Sequence, residues 1–387
     1  MPNLKFGVFM APVHEPGRKP SVLLERDLEL VEHLDRLDFD EAWFGEHHSA
    51  GSEIFASPEI LIAAAAQRTR RIKLGTGVTS IAYHNPLWVA DRIVMLDHLT
   101  RGRTLFGVGP GSLPTDSAMI GLTPTDTREL LEENLDIILR LFAGESVTAK
   151  TRTHELVDAR LQMLPYSDPL FDITVAAVAS PTGARLAGRY GLGLLSIGAT
   201  ISQDGFDALA HHWNVVEERA EASGATVDRS TWRLASPFHI AETVDQAYRE
   251  VEHGIEHWFG YFQKVAAFPQ MAVSGDNIKE MIDFINESGA GVIGTPEHAR
   301  AQVQRLVDQS DGGFGTLLLM ASDWADPQAT KRSFELFATD VAPHFQGQAA
   351  PTLDAARRAS EVREGLAQAQ LAAVAHMTDK YEAEKSR

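Results

Sequence analysis

The 387-residue sequence contains no cysteine. Disulfides, thiolate zinc sites, iron–sulfur clusters and a cysteine nucleophile are therefore excluded together, which leaves histidines, carboxylates, hydroxyls and a borrowed cofactor to do any chemistry. Positive charge is scarce as well: 35 Lys and Arg stand against 53 Asp and Glu, a formal net charge of −18. That balance argues against a nucleic-acid binder or a basic membrane-surface protein. Long apolar runs are missing; the longest, around Ile60 to Ala66, falls far short of the roughly 20 residues that cross a bilayer. Residues 1–12 carry Lys5 as their only charge and stop at Pro12, which does not read as an export signal, so a cytoplasmic location is expected. What remains is 44% hydrophobic and 23% charged, an ordinary globular composition with material for one large core.

Short apolar runs alternate with helical stripes along the chain. The runs start near residues 4, 41, 72, 104, 173, 192, 232 and 316, and helical sequence follows each. Eight such units are the pattern of a closed (β/α)8 TIM barrel, with an open doubly wound sheet as the alternative. Ser21 reads as the cap of the first helix, where Leu24, Leu28 and Val31 fall at i, i+4 and i+7. A helix after Thr125 places Leu131, Leu135, Ile138 and Phe142 on one face with Arg128 in its first turn, and another spans Phe206 to Ala222. Glu145 to Pro165 looks like a hairpin insertion. Residues 258–294, with Trp258, Phe259, Tyr261, Phe262 and Phe268, read as an active-site lid, a helical packing insertion being the alternative. The barrel is expected to occupy residues 1–346. Residues 347–387 form a tail in which a small-residue linker, Gln346 to Thr352, leads into a helix. Ala359, Val362, Leu366 and Ala369 stripe that helix, which suits a partner subunit or the barrel's outside.

In such a barrel the strand carboxyl ends and the loops after them form the active face. Glu46, His47 and His48 end the second strand. Adjacent strand residues point to opposite sides, so one reactive and one structural histidine are expected, a hydrogen-bonded scaffold role being the plain alternative for either. Gly75-Thr76-Gly77-Val78 and Phe106-Gly107-Val108-Gly109-Pro110-Gly111 bring small residues to two neighbouring strand ends, where a flat ligand can approach the backbone. Ala179-Ser180-Pro181-Thr182-Gly183 opens the next helix, a place for a phosphate on free N–H groups and hydroxyls. Arg128, the only basic residue between Arg103 and Arg140, is either its counter-charge or an exposed helix arginine. There is no HExxH or comparable spacing, so no metal centre is expected. Strands four and seven end in Val108-Gly109 and His239-Ile240, without the paired carboxylates of a glycosidase.

Several motifs together carry a resemblance. Lys5-Phe6-Gly7, Glu46-His47-His48 after Phe39-Asp40-Glu41-Ala42-Trp43, Leu74-Gly75-Thr76-Gly77 and His84-Asn85-Pro86 occur in order. Leu96-Asp97-His98-Leu99-Thr100-Arg101-Gly102-Arg103 and Phe106-Gly107-Val108-Gly109 follow. Between about residues 4 and 345 the chain resembles the bacterial luciferase-like, flavin-dependent monooxygenase family, and its first third looks closest to the limonene 1,2-monooxygenase-like branch. The resemblance implies reduced FMN or FAD at the carboxyl end of the barrel, reacting with O2 to a flavin peroxide that oxygenates a small hydrophobic substrate such as a terpene. It also implies a separate flavin reductase that spends NAD(P)H, and a homo-oligomer, such as a dimer, is expected.

Residue by residue, the resemblance makes His47 the acid/base beside the flavin and puts a non-prolyl cis peptide at Gly77-Val78 under the ring. Gly109, Arg128, Ser180, Thr182 and Gly183 would bind the cofactor, and Ser196 would stand near the ring. Gly109-Pro110 replaces an adjacent Cys and Arg of light-emitting members, and Ala179 replaces a Glu, so luminescence is not implied. A deazaflavin (F420)-dependent dehydrogenase on the same barrel is the alternative enzyme. A flavin-storage protein is disfavoured because that lineage has lost barrel elements and eight strands are read here.

Overall fold

The computed structural model describes residues 3–178, 180–197, 209–267 and 273–386. Ala179, the expected helix start at Phe206, and Phe268 lie outside the described residues. Eight parallel strands close on themselves: β1 (Lys5–Met10), β2 (Glu41–Phe44), β3 (Lys73–Ser80) and β4 (Thr104–Gly109), then, past a hairpin of β5 (Val147–Lys150) and β6 (Glu155–Ala159), β7 (Ile173–Ala177), β8 (Gly193–Ile197) and β9 (Trp232–Ile240). A short β10 (Val292–Gly294) extends the end of β9, and β11 (Thr316–Met320) lies between β9 and β1 and completes the ring. The expected barrel is thus present, with the strands at the expected places and the hairpin where an insertion was read.

The helical layer begins with α1 (Pro20–Arg36), α2 (Pro58–Arg68), α3 (Pro86–Thr100), α4 (Pro114–Met119) and α5 (Pro124–Phe142). It continues with α6 (Thr182–Tyr190), α7 (Leu209–Ser223), α8 (Val244–Val251), α9 (Ile255–Lys264), α10 (Ile278–Ser288) and α11 (Pro296–Gln309), and ends with α12 (Pro327–Leu336), α13 (Ala342–Phe345) and α14 (Ala349–Lys385). Ser21 does not cap α1: Pro20 occupies the first turn and Lys19 precedes it without a side-chain cap bond. A proline supplies the helical φ and has no N–H to satisfy, so it starts a helix without a hydroxyl. The linker is also shorter than expected, because α14 already begins at Ala349.

Strand alternation sorts the core into two shells. Outward residues such as Phe6, Val8, Leu74, Phe106, Val175 and Leu317 pack under the helices, and inward residues Phe9, Trp43, Leu105, Leu195, Ala235, Leu318 and Met320 fill the barrel. Trp43 is the bulky member, and glycines make room for it: a Cβ on Gly75 would stand 2.8 Å from its ring and one on Gly107 2.9 Å. Below it Arg233 is 1% exposed. Its guanidinium reaches both oxygens of Glu41 at 2.8 and 2.9 Å and Asp172 at 2.7 Å, and lies 5.1 Å from the Trp43 ring centre. A buried ion must be paired in this way, since losing one partner of such a pair costs about 3–5 kcal/mol.

Residues 258–267 and 273–294 form a packing unit and a wall of the cavity at once. Trp258, Phe259, Tyr261, Ile282 and Ile285 build a separate apolar cluster with Val13 and Trp324, while Phe262 and Ala267 face the barrel mouth. The terminal helix α14 differs from every other helix longer than two turns: none of its residues is buried. No helix among the described residues is long and apolar enough to cross a membrane.

Candidate active site

A cavity of about 450 Å³ opens at the carboxyl end of the barrel. Strand ends and the loops behind them line it: Phe9 and Ala11, Gly45 to His47, Gly77 and Val78, Pro110 and Gly111, Ala176 and Ala177, Ile197 and Met320. One wall carries polar groups. β2 ends at Phe44, so Glu46, His47 and His48 lie in loop, and the loop lets the two histidines diverge. His47 faces the cavity with its Nδ1 3.2 Å from Asp116 and its Nε2 3.6 Å from Glu53. Burial disfavours charge on this ring, but Glu53 and Asp116 outweigh it and raise its pKa.

The carboxylates beside His47 are themselves held. Asp116 on α4 also accepts from the His48 backbone N–H at 3.1 Å and from the Ser49 hydroxyl. Glu53 accepts the Tyr261 hydroxyl at 2.7 Å, which ties the His47 loop to α9. Burial and then the Glu53 charge push the Tyr261 pKa upward, so Tyr261 stays a proton donor. These two carboxylates were not foreseen in the sequence. Both sit between a barrel strand and the helix that covers it, Glu53 in a loop after β2 and Asp116 in the short α4 after β4, and that position is the signal that points to them.

His48 turns the other way. Its Nε2 and that of His84 meet the same Oε1 of Glu46 at 2.9 and 2.6 Å, and Ser80 donates its backbone N–H to Oε2 at 2.7 Å. Burial opposes the Glu46 charge, yet these donors carry its pKa down to about 2. Glu46, His48 and His84 are the one trio among the described residues whose ligand atoms converge as a metal site requires. Two atoms about 2.0–2.1 Å from a tetrahedral zinc stand about 3.3 Å apart, so separations of 2.6 and 2.9 Å mark a hydrogen-bond network.

The opposite wall carries Arg128, Pro124, Ser180, Thr182 and Gly183. Arg128 is exposed, its guanidinium donates 2.7 Å to the Pro124 carbonyl, and no carboxylate pairs with it among the described residues. Ser180 and Thr182 bring hydroxyls to the start of α6, and a Cβ on Gly183 would lie 1.9 Å from the Ala176 carbonyl oxygen, so only glycine lets the helix begin this close to β7. Between the walls the Gly77–Val78 peptide is cis, as the resemblance implies.

Two expected cofactor residues lie elsewhere. Leu195 and Ile197 point into the barrel, so Ser196 points out, where its Oγ bonds His212 Nδ1 and accepts the Trp232 indole N–H, each at 2.9 Å. It does not reach the cavity. Gly109 is covered, since a Cβ there would meet the Val78 side chain at 2.6 Å, and Pro110 and Gly111 take its place in the lining. The glycines at 75 and 107, read as room for a flat ligand, make room for Trp43.

The luciferase-like monooxygenase family model matches residues 4–311. The chain belongs to that family. It is a monooxygenase and hence an oxidoreductase, and it is 47% identical over 384 residues to limonene 1,2-monooxygenase of Rhodococcus erythropolis, covering 99% of this chain and 97% of that one. It is 43% identical over 349 residues to 4-hydroxyprotoasukamycin monooxygenase of Streptomyces nodosus subsp. asukaensis, 90% of this chain and 94% of the other. Among solved structures, monooxygenase RslO1 of Streptomyces bottropensis superposes with a TM-score of 0.78 at 23% identity over 88% of this chain and all of that one. The FMN complex of the oxygenating constituent of 3,6-diketocamphane monooxygenase from Pseudomonas putida gives 0.73 at 24%, covering 88% and 98%. These structural likenesses show a shared fold.

Proposed function

We propose that this monooxygenase is the oxygenating component of a two-component system: it takes reduced flavin, FMN first, from a separate NAD(P)H-dependent reductase and oxygenates a small hydrophobic alkene of the terpene class. The observation that carries the reading is a single titratable ring, His47, held between Asp116 and Glu53 at the edge of a cavity that is otherwise mostly apolar. The residues present fit a flavin phosphate on the far wall: an arginine without a carboxylate partner among the described residues, two hydroxyls, and a glycine that admits the start of α6. The identity to limonene 1,2-monooxygenase supports the substrate class.

When bound, reduced flavin supplies two electrons to O2, so that one oxygen atom enters the substrate and the other leaves as water. The chain's own residues supply the surroundings. Phe9, Val78, Leu131, Ile197, Phe262 and Met320 exclude water and match an apolar substrate. Arg128, Ser180 and Thr182 hold the phosphate. His47 holds a proton on Nε2 toward the cavity, because Asp116 takes Nδ1 and the flanking carboxylates keep the ring charged more readily than a free imidazole. Photoreduced FMN or FAD, ¹⁸O2 and a panel of terpenes, ketones and aldehydes test this by mass spectrometry. Label in an epoxide with FMN is the expected result. Label in lactones from the ketones instead would reassign the chemistry, and turnover with a deazaflavin and no O2 uptake would refute oxygenation by this site.

A further inference from the structure

The oxygenation chemistry makes no use of the Tyr261 hydroxyl, yet that hydroxyl sits where it can decide how His47 is set. Tyr261 is 1% exposed and does not line the cavity, whereas Phe262, the next residue, does. Its ring packs edge-on against Phe262 at 5.2 Å, within the apolar cluster that α9 and α10 share. One turn earlier on the same helix, His257 donates from Nε2 to the His14 carbonyl at 3.0 Å and stands 3.3 Å from Ser52 Oγ. Residues at i and i+4 lie on one helix face, so His257 and Tyr261 together fasten α9 to Ser52 and Glu53, neighbours in the loop that carries His47. Packing makes the phenol a fixed point, and the longer glutamate side chain turns to meet it.

The oxygen that Tyr261 bonds, Glu53 Oε2 at 2.7 Å, is the same oxygen that lies 3.6 Å from His47 Nε2. The second separation is too long for a hydrogen bond. Elsewhere in the molecule imidazole and carboxylate do close: His14 with Asp27 and His48 with Glu46 at 2.9 Å, His239 with Glu250 at 2.8 Å. The loop is drawn in on itself, since the His47 backbone N–H donates to the Phe55 carbonyl at 2.9 Å, and Glu53 is held close to the ring. We propose that Tyr261 is a positioning residue for the oxygenation: by taking Glu53 Oε2 it holds that carboxylate off His47 and keeps Nε2 open to the cavity. This role rests on the acid/base reading of His47. The groups that face the ring are Glu53 from its own loop, Asp116 from α4 on Nδ1 and, farther off, Glu46 and His48, with Tyr83 edge-on to His48. Glu53 is the one placed against Nε2. Without the phenol it would accept Nε2–H directly, favour the imidazolium and withdraw its proton from the cavity, as a charge-assisted hydrogen bond does.

Tyr261→Phe keeps the ring and its packing and removes only the hydroxyl. In the full chain without flavin, NMR of histidine-labelled protein follows the imidazole titration, and the His47 signal is the one absent from His47→Asn. In Tyr261→Phe that titration should move to higher pH, and in Glu53→Gln to lower pH. The double variant should titrate as Glu53→Gln alone does, because the hydroxyl acts through that carboxylate. Reduced-FMN affinity, set on the opposite wall, should be unchanged in Tyr261→Phe, while product per O2 should fall about tenfold, the factor that breaking one charge-assisted hydrogen bond sets. A titration that stays in place or moves to lower pH in Tyr261→Phe, or shifts that simply add in the double variant, would overturn the assignment whatever the turnover. A titration that moves to higher pH with product per O2 unchanged would instead overturn the acid/base role of His47, and with it the part of Tyr261 in oxygenation.

Discussion

Two histidines in this molecule are each clasped by two carboxylates, and they are built for opposite ends. His14, just past β1, has both ring nitrogens bonded at 2.9 Å, to Asp27 on α1 and to Asp323 after β11, and is 1% exposed. Arg26 reaches the other oxygen of Asp323 at 2.8 Å. His47 has longer contacts, 3.2 and 3.6 Å, and one side open to the cavity. Burial opposes charge in both, and in both the carboxylates prevail; for His14 the pKa rises to about 9. The tight clasp joins three segments of scaffold. The loose one leaves a nitrogen open to the cavity, the arrangement that the proposed acid/base role of His47 requires.

The largest expected effect is on turnover. His47→Asn should stay folded and bind reduced flavin, consume O2, release it as hydrogen peroxide, and lose about 10²- to 10⁴-fold in oxygenated product, the usual worth of a positioned acid/base. Product per O2 measured by electrode and mass spectrometry checks this, and full coupling in the variant would make His47 a second rivet. The counterpart, His14→Asn, should instead lower stability by about 3 kcal/mol with activity per folded molecule unchanged, since it strands the buried Asp27 and leaves Asp323 to Arg26 alone.

The second contrast has a pH signature. The folded His14 pKa lies above its unfolded value of about 6.5. Its contribution is therefore complete below about pH 6.5 and is lost as pH rises through about 9. Urea unfolding of the natural chain and His14→Asn should diverge most at pH 6 and converge toward pH 10. Arg128→Met should weaken reduced-flavin binding by about 1–3 kcal/mol, the value of a charged hydrogen bond, while an unchanged titration would return Arg128 to an ordinary surface arginine. The smallest effect belongs to Glu53→Gln. Removing that charge should move the His47 limb of the rate profile to lower pH, and an unmoved limb would show that Glu53 does not set its protonation.

The barrel was legible because period-two and period-3.6 patterns alternate over most of the chain, whereas the divergence of His47 and His48, expected from strand alternation, arises in a loop past the end of β2 at Phe44. Where single positions were misread, the reason is geometric. Ser196 is one residue from Ile197, which does line the cavity, and a one-residue error inverts the face. Gly75 and Gly107 admit a neighbour, but only the folded barrel shows that the neighbour is Trp43. Glu53 sits in a loop and Asp116 in the six-residue α4, too short for a periodicity to mark it, so their convergence on His47 appears only when β2 and β4 stand near one another around β3.

The ion cluster beneath Trp43 has one more effect, on traffic. Arg233, Glu41 and Asp172 with the indole above them plug the barrel at its amino end, so the cavity has a floor there and no passage through the barrel axis. Anything that binds there comes from the carboxyl side of the barrel, where Phe262 is part of the wall.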